Sequence, residues 1–275
     1  MEKRLYPSKS RAGSGISLFL LLLTALVIVS GLWGGRNPDG FVMVPAPTVT
    51  PIPLDENFDE TMTEVEIDLP SSMWYALQLG AFESEESAKE MAVQFARRGA
   101  SGYVWPDGRY RALAAVYPSK EDAQQVRQQL ETQHGIDTYL YQIDLPSVRI
   151  RMKGMRGQLE ILQAAFLHVD DLIRQLQDIS MSIDRRELNT DEAIDSLKGL
   201  DTQLTTVSLR LHQRFQAPRH EAVQSLLGIL ESFHTFCVET DAKRSSIALA
   251  SSLKHQTLSA LQGFWQIYDT LIHRR

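Results

Sequence analysis

Trp74 and Gln78 stand four residues apart, and Arg109, Arg111 and Leu113 follow at every second position further along the chain. Spacings of two and four put each set on one face of an extended strand. Tyr103 and Trp105, and then Tyr139 and Tyr141, repeat that interval. Rings beside amide and guanidinium groups define a chemistry suited to a sugar chain. Flat rings stack on the apolar face of a pyranose, while amides and guanidinium groups meet hydroxyls and carboxylates. Core packing uses the same rings, and period two alone does not fix which face Tyr103, Trp105, Tyr139 and Tyr141 take. Other chemistry finds little support. The chain has no HExxH, no phosphate-binding glycine loop and no nucleophile elbow. His168 near Asp171, and His234 with Cys237, do not complete a tetrahedral metal site and read as partly buried groups. No paired carboxylates suggest a hydrolase. The expectation is a binding protein, with no catalytic residue, metal or cofactor.

The elements that position these residues are written twice. Tyr75-Ala-Leu77-Gln-Leu79-Gly-Ala81-Phe82 leads into Ser84-Glu-Glu-Ser87-Ala88, and Tyr110-Arg-Ala112-Leu-Ala114-Ala-Val116-Tyr117 leads into Ser119-Lys-Glu121-Asp122-Ala123. Each copy is a strand followed by a capped helix. Ser84 and Ser119 are N-caps before acidic first turns, and Gly99 and Gly135 are stops. Ala88, Met91, Ala92 and Phe95 form the first helical stripe, and Ala123, Val126 and Leu130 the second. A closing strand follows each helix, through Tyr103-Val104-Trp105 and Tyr139-Leu140-Tyr141. Two β-α-β halves in tandem make a ferredoxin-like split βαβ sheet with both helices on one face. Tyr75, Leu77 and Leu79 turn toward those helices. Trp74, Gln78, Arg109, Arg111 and Leu113 are left on the uncovered face.

Residues 74 to 143 resemble the SPOR domain (sporulation-related repeat). Leu77-Gln78-Leu79-Gly80-Ala81-Phe82 and Tyr110-Arg111-Ala112 match its two strand motifs. The resemblance implies peptidoglycan binding, with a preference for glycan strands stripped of peptide stems, as at division septa or in sporulation. It also implies exposed-sheet roles for Gln78 and Arg111. Three positions depart from the pattern: Ala81 replaces a frequent serine, Arg109 a frequent aromatic residue, and Ala115 the second glycine.

Composition and patterning supply the surroundings. The 275 residues carry a net charge of −6 and one cysteine. That balance argues against a nucleic-acid partner and excludes an intramolecular disulfide. Ile16 to Trp33 holds no charge and as a helix would rise about 27 Å, close to a bilayer core. Lys3, Arg4, Lys9 and Arg11 precede it, which places the N-terminus inside and the bulk of the chain outside the membrane, which the SPOR resemblance implies is a bacterial cytoplasmic membrane. A cleaved signal peptide is the competing reading. The expected order is a cytoplasmic tail (1–15), a signal anchor (16–35), a Pro- and acid-rich tether (36–72), the SPOR-like domain (73–146) and a helical region (147–275).

In the helical region, apolar residues recur at spacings of three and four in four sets. They begin at Leu159, Ile194, Val223 and Ile247, and Asn189-Thr-Asp-Glu192 reads as a capping box. The economical fold for this all-α part is an antiparallel four-helix bundle. Two functions are compatible with the whole. One is a non-enzymatic, membrane-anchored peptidoglycan-binding protein that localises a helical interaction domain. The other is an envelope scaffold or signalling protein that acts mainly through residues 147–275, by self-association or a protein partner.

Overall fold

Alternation of Tyr75, Leu77 and Leu79 with Trp74, Ala76 and Gln78 gives strand β2 (Ser72–Phe82) two apolar faces, and the fold uses both. In the computed structural model, which describes residues 61–216, 220–240 and 245–273, β2 lies in a four-stranded antiparallel sheet with β3 (Tyr103–Pro106), β4 (Tyr110–Tyr117) and β5 (Tyr139–Leu145). The order is β3-β4-β2-β5. The first strand of each repeat copy is therefore central. Helix α1 (Glu85–Ala96) and helix α2 (Lys120–His134) begin where the serines predict: Ser84 and Ser119 each accept a backbone N–H at 3.2 Å. Leu77, Ala115, Tyr117 and Ala123 form one buried cluster, with Tyr75, Leu79, Val126 and Leu130 packed against it.

The turn after α1 depends on glycine. Gly102 has φ +65°, and a Cβ there would lie 2.8 Å from the Ala96 Cβ. Gly102→Ala combines a left-handed backbone with a backbone-proximal clash, and should lower unfolding free energy by about 2 kcal/mol in urea titration. A loss below a few tenths would show that the turn relaxes freely.

The register of β2 against β4 breaks on both sides of Gln78. Leu77 pairs with Ala115, Gln78 with Leu113 and Gly80 with Ala112. Ala114 and Leu79 are thus passed over, and such bulges re-aim neighbouring side chains. As a result Leu113 and Val116 join the cluster on the second face, while Ala115 and Tyr117 stay with Ala123 of α2 on the first.

Two strands lie outside the repeat, where a tether and a purely helical region were expected. β1 (Met62–Leu69) pairs antiparallel with β6 (Val148–Met155) in a separate two-stranded ribbon. Ile67, Leu69 and Val148 are buried, and Val65, Ile150 and Met152 pack beside them. The alternate positions carry opposite charges across the ribbon: Asp68 faces Arg149, Glu66 faces Arg151 and Glu64 faces Lys153. Arg149 bonds Asp68 at 2.6 Å and Arg151 bonds Glu66 at 2.9 Å. These exposed pairs fix register more than they add stability. The acidic run between Glu64 and Asp68 is one edge of a charge-matched ribbon, not spacer.

Four helices follow: α3 (Arg156–Asp184), α4 (Thr190–Arg214), α5 (Glu221–Glu239) and α6 (Ser246–His273). Each carries one of the four apolar sets. Leu159, Leu162, Phe166, Val169, Ile173 and Leu176 are all buried on α3, whereas the two ends of the last set, Ile247 and Ile272, are exposed. Asn189 and Glu192 form the predicted capping box. α3 packs on α4, α5 and α6, α4 on α5, and α5 on α6.

Among the described residues no helix is long and apolar enough to cross a membrane. The tail, the anchor and the proline-rich part of the tether lie outside the described residues.

Candidate functional site

The second face of the sheet, expected to be open, is covered by α3 and α6. Trp74 and Trp105 are each 1 % exposed and Leu113 is fully buried. Trp105 meets Trp265 of α6 edge to face, with ring centroids 6.1 Å apart. The Arg174 guanidinium of α3 lies 5.5 Å from the Trp74 ring centre and donates to Ser72 Oγ at 3.3 Å. Tyr103 packs edge-on against His255 and donates its hydroxyl to Gln262. Burial pushes that hydroxyl up to about 12. The sheet face expected to be open instead meets another apolar surface of the same chain. Trp74 and Trp105 are core residues that a ligand does not reach in this arrangement, whereas Tyr103 is half-buried and lines a cavity with Ser232, Gln256 and Gly263.

Polar contacts reinforce the junction. On consecutive turns of α6, Ser251 Oγ donates to the Ala100 carbonyl at 2.6 Å and Lys254 Nζ to the Gly99 carbonyl at 2.8 Å, while His255 Nδ1 lies 3.0 Å from the Ser101 carbonyl. These carbonyls belong to the turn that follows α1, so α6 is tied to that turn through its backbone. The Tyr268 hydroxyl donates to the Pro70 carbonyl at 3.2 Å.

One end of this face remains accessible, and it holds Gln78 and Arg111. Arg111 Nη1 donates to Gln78 Oε1 at 2.9 Å. The guanidinium sits 4.5 Å from the centre of the Tyr141 ring, and Nη2 is 3.3 Å from Asp107 Oδ2. The same carboxylate oxygen accepts the Tyr141 hydroxyl at 2.8 Å. Burial first, then the hydrogen bond to Asp107, pushes the Tyr141 hydroxyl up to about 12. Tyr139, paired with Gln78 in the sheet, is 63 % exposed. The group offers an amide, a stacked guanidinium, a carboxylate and an exposed ring on a bulged, rigid sheet.

Of the predicted site residues, the structure brings Gln78 and Arg111 together and separates the rest from them by burial or direction. Arg109 forms an ion pair with Glu83 instead. Asp107, which joins Arg111 to Tyr141, was not singled out from the sequence. The signal was the Pro106-Asp107-Gly108 turn, which returns β3 to β4 directly above Arg111.

The ligand-like pairs elsewhere resolve into structural contacts. His234 Nδ1 lies 2.9 Å from Asp201 Oδ1, and Cys237 Sγ points to the Leu197 carbonyl at 3.8 Å. Burial pushes the thiol up to about 12, which leaves it protonated and a poor nucleophile. Burial lowers His168, against the weaker pull of Asp171. No group of three or more potential metal ligands occurs among the described residues.

A β-α-β-β-α-β sheet with paired helices on one face defines a split βαβ module. Residues 74–142 match the SPOR domain family, a peptidoglycan-binding domain, over about a quarter of the chain. No curated protein and no solved structure matches the chain.

Proposed function

We propose that this chain is a non-enzymatic, membrane-anchored peptidoglycan-binding protein that recognises stripped glycan strands through its accessible sheet end, and so localises its helical bundle at the cell wall in division or sporulation. The observation that carries the reading is the connected group of Gln78, Arg111, Asp107 and Tyr141, with Tyr139 exposed beside it, inside the segment that matches a peptidoglycan-binding domain. An exposed ring next to amide and guanidinium donors suits stacking on one sugar and hydrogen bonding to the next. The buried rings contribute by holding the sheet, not by touching the glycan.

The test is co-sedimentation of the full chain with peptidoglycan sacculi, untreated and amidase-treated. Pelleting should rise after amidase treatment, and fall at least about tenfold in Gln78→Ala/Arg111→Ala, which removes several hydrogen bonds including charge-assisted ones. Unchanged circular dichroism would establish that the double variant still folds. Absence of pelleting from folded wild-type protein would sink the glycan reading.

A second reading, an envelope scaffold acting mainly through residues 147–275, draws support from the coverage of Trp74, Trp105 and Leu113 by the C-terminal helices. Localisation that survives the double substitution but fails without those helices would favour it.

A further inference from the structure

Asp107 decides how much of the Arg111 charge a ligand meets. It sits in the β3–β4 turn, where its N–H donates to the Arg109 carbonyl at 2.8 Å and Gly108 takes φ +61°. That turn aims the carboxylate back over the sheet. Oδ2 stands 3.3 Å from Arg111 Nη2 and 3.4 Å from Nε, and accepts the Tyr141 hydroxyl at 2.8 Å. Gln78 Oε1 takes the Nη1 side, and the Tyr141 ring lies against the guanidinium. The cation is therefore surrounded by an anion, an amide oxygen and a π face before any ligand arrives. Arg111 is only 21 % exposed and Asp107 45 %, so the pair is less screened by water than a fully exposed one.

We infer that Asp107 sets the ligand preference of this patch by competing with ligand carboxylates for Arg111, so that uncharged acetamido-sugar faces rank above carboxylate-bearing ones. The inference rests on the glycan reading above and names the ligand chemistry within it. Hydrolysis of the amide that joins a peptide stem to its sugar leaves a carboxylate on that sugar. A free arginine would favour that product by charge. A compensated arginine favours it only through the access that loss of the stem gives, and a ligand carboxylate has to displace Asp107 to gain the ion pair.

The variant is Asp107→Asn, which keeps the shape and an acceptor for the Tyr141 hydroxyl but removes the charge. The readout is the Arg111 Nε–H resonance of the full chain, titrated with N-acetylmuramic acid and separately with N-acetylglucosamine. Asp107→Asn should lower the midpoint for N-acetylmuramic acid by about tenfold, the scale of one charge-assisted bond, and leave that for N-acetylglucosamine within about twofold. Equal midpoints in the two proteins overturn the inference. So does weaker binding of both sugars by Asp107→Asn, which would make Asp107 a positioning residue, and so does silence of Arg111 toward both sugars in both proteins. Sacculus pelleting by the wild type judges the glycan reading separately. A wild type that pellets while Asp107→Asn titrates identically loses this inference alone. A wild type that does not pellet loses the glycan reading, and the carboxylate response of Arg111 still decides the role of Asp107.

Discussion

Replacing Trp105 with alanine should lower the unfolding free energy by about 3–5 kcal/mol, the range for emptying a buried aromatic site. Trp105 is 1 % exposed and belongs to the same apolar cluster as Leu113, Val116, Phe264 and Ile267, residues drawn from both the sheet and α6. Its edge-to-face contact with Trp265 adds about 0.5–1.5 kcal/mol beyond area burial. Because one cluster spans both parts, sheet and helices should unfold together. Urea titrations followed by tryptophan fluorescence and by helical circular dichroism should give one midpoint in the wild type and one, lower, in Trp105→Ala. Two separated midpoints in the wild type, or a loss below about 1 kcal/mol, would mean that α6 rests on the sheet without sharing its core. Trp265→Phe, which keeps a ring against Trp105, should cost clearly less.

The second large effect concerns excision. Residues 73–146, produced alone, should fail to form a soluble monomer. Cutting there removes α3 and α6 and strips cover from Trp74, Trp105, Leu113, Val116 and Ile143, all within one buried cluster. Each large side chain returned to water forfeits about 1.5–3 kcal/mol, and together they make an apolar patch of the kind that drives association. The cut also removes β1 and β6, and with them Ile67, Leu69 and Val148 of the same cluster. Size-exclusion chromatography and binding of a hydrophobic dye should report oligomers with exposed apolar surface. A monomeric fragment that unfolds cooperatively would sink this prediction, and would return the covered face to consideration as a ligand surface.

Both expected outcomes turn on the covered second face of the sheet. The duplicated strand-and-helix pattern made the central sheet legible, because Leu77 and Leu79 are aliphatic on the phase that meets Ala123, and Ser84, Ser119 and Gly135 are local signals for helix ends. Gln78 and Arg111 were legible through motif spacing. The fate of the second face was not. Alternation reports that Trp74 and Trp105 share a surface, but it does not distinguish a surface that meets a sugar from one that meets another helix of the same chain. A clue lay in α6, where Phe264, Trp265, Ile267 and Tyr268 are too close together for a single stripe, and a helix apolar on more than one side needs more than one neighbour. The ribbon was hidden differently. Glu64, Glu66 and Asp68 drew attention as charge, which masked the period-two set of Val65, Ile67 and Leu69 between them. The matching set at Val148, Ile150 and Met152, interleaved with Arg149, Arg151 and Lys153, completes a signal spread over both sides of the repeat.

That ribbon also governs how the molecule carries force. The chain enters the described fold at Met62 opposite Met155, and β6 passes into α3 on the far side of the same pair. Tension arriving from the preceding segment along β1 meets a ladder whose hydrogen bonds run perpendicular to the pull. A pull directed along β1 loads the eight paired positions in shear, whereas a pull that separates Met62 from Met155 opens them from that end one at a time. The sheet behind it, with the Gln78 and Arg111 end, is held at a fixed distance from Met62, as by a strut rather than a string.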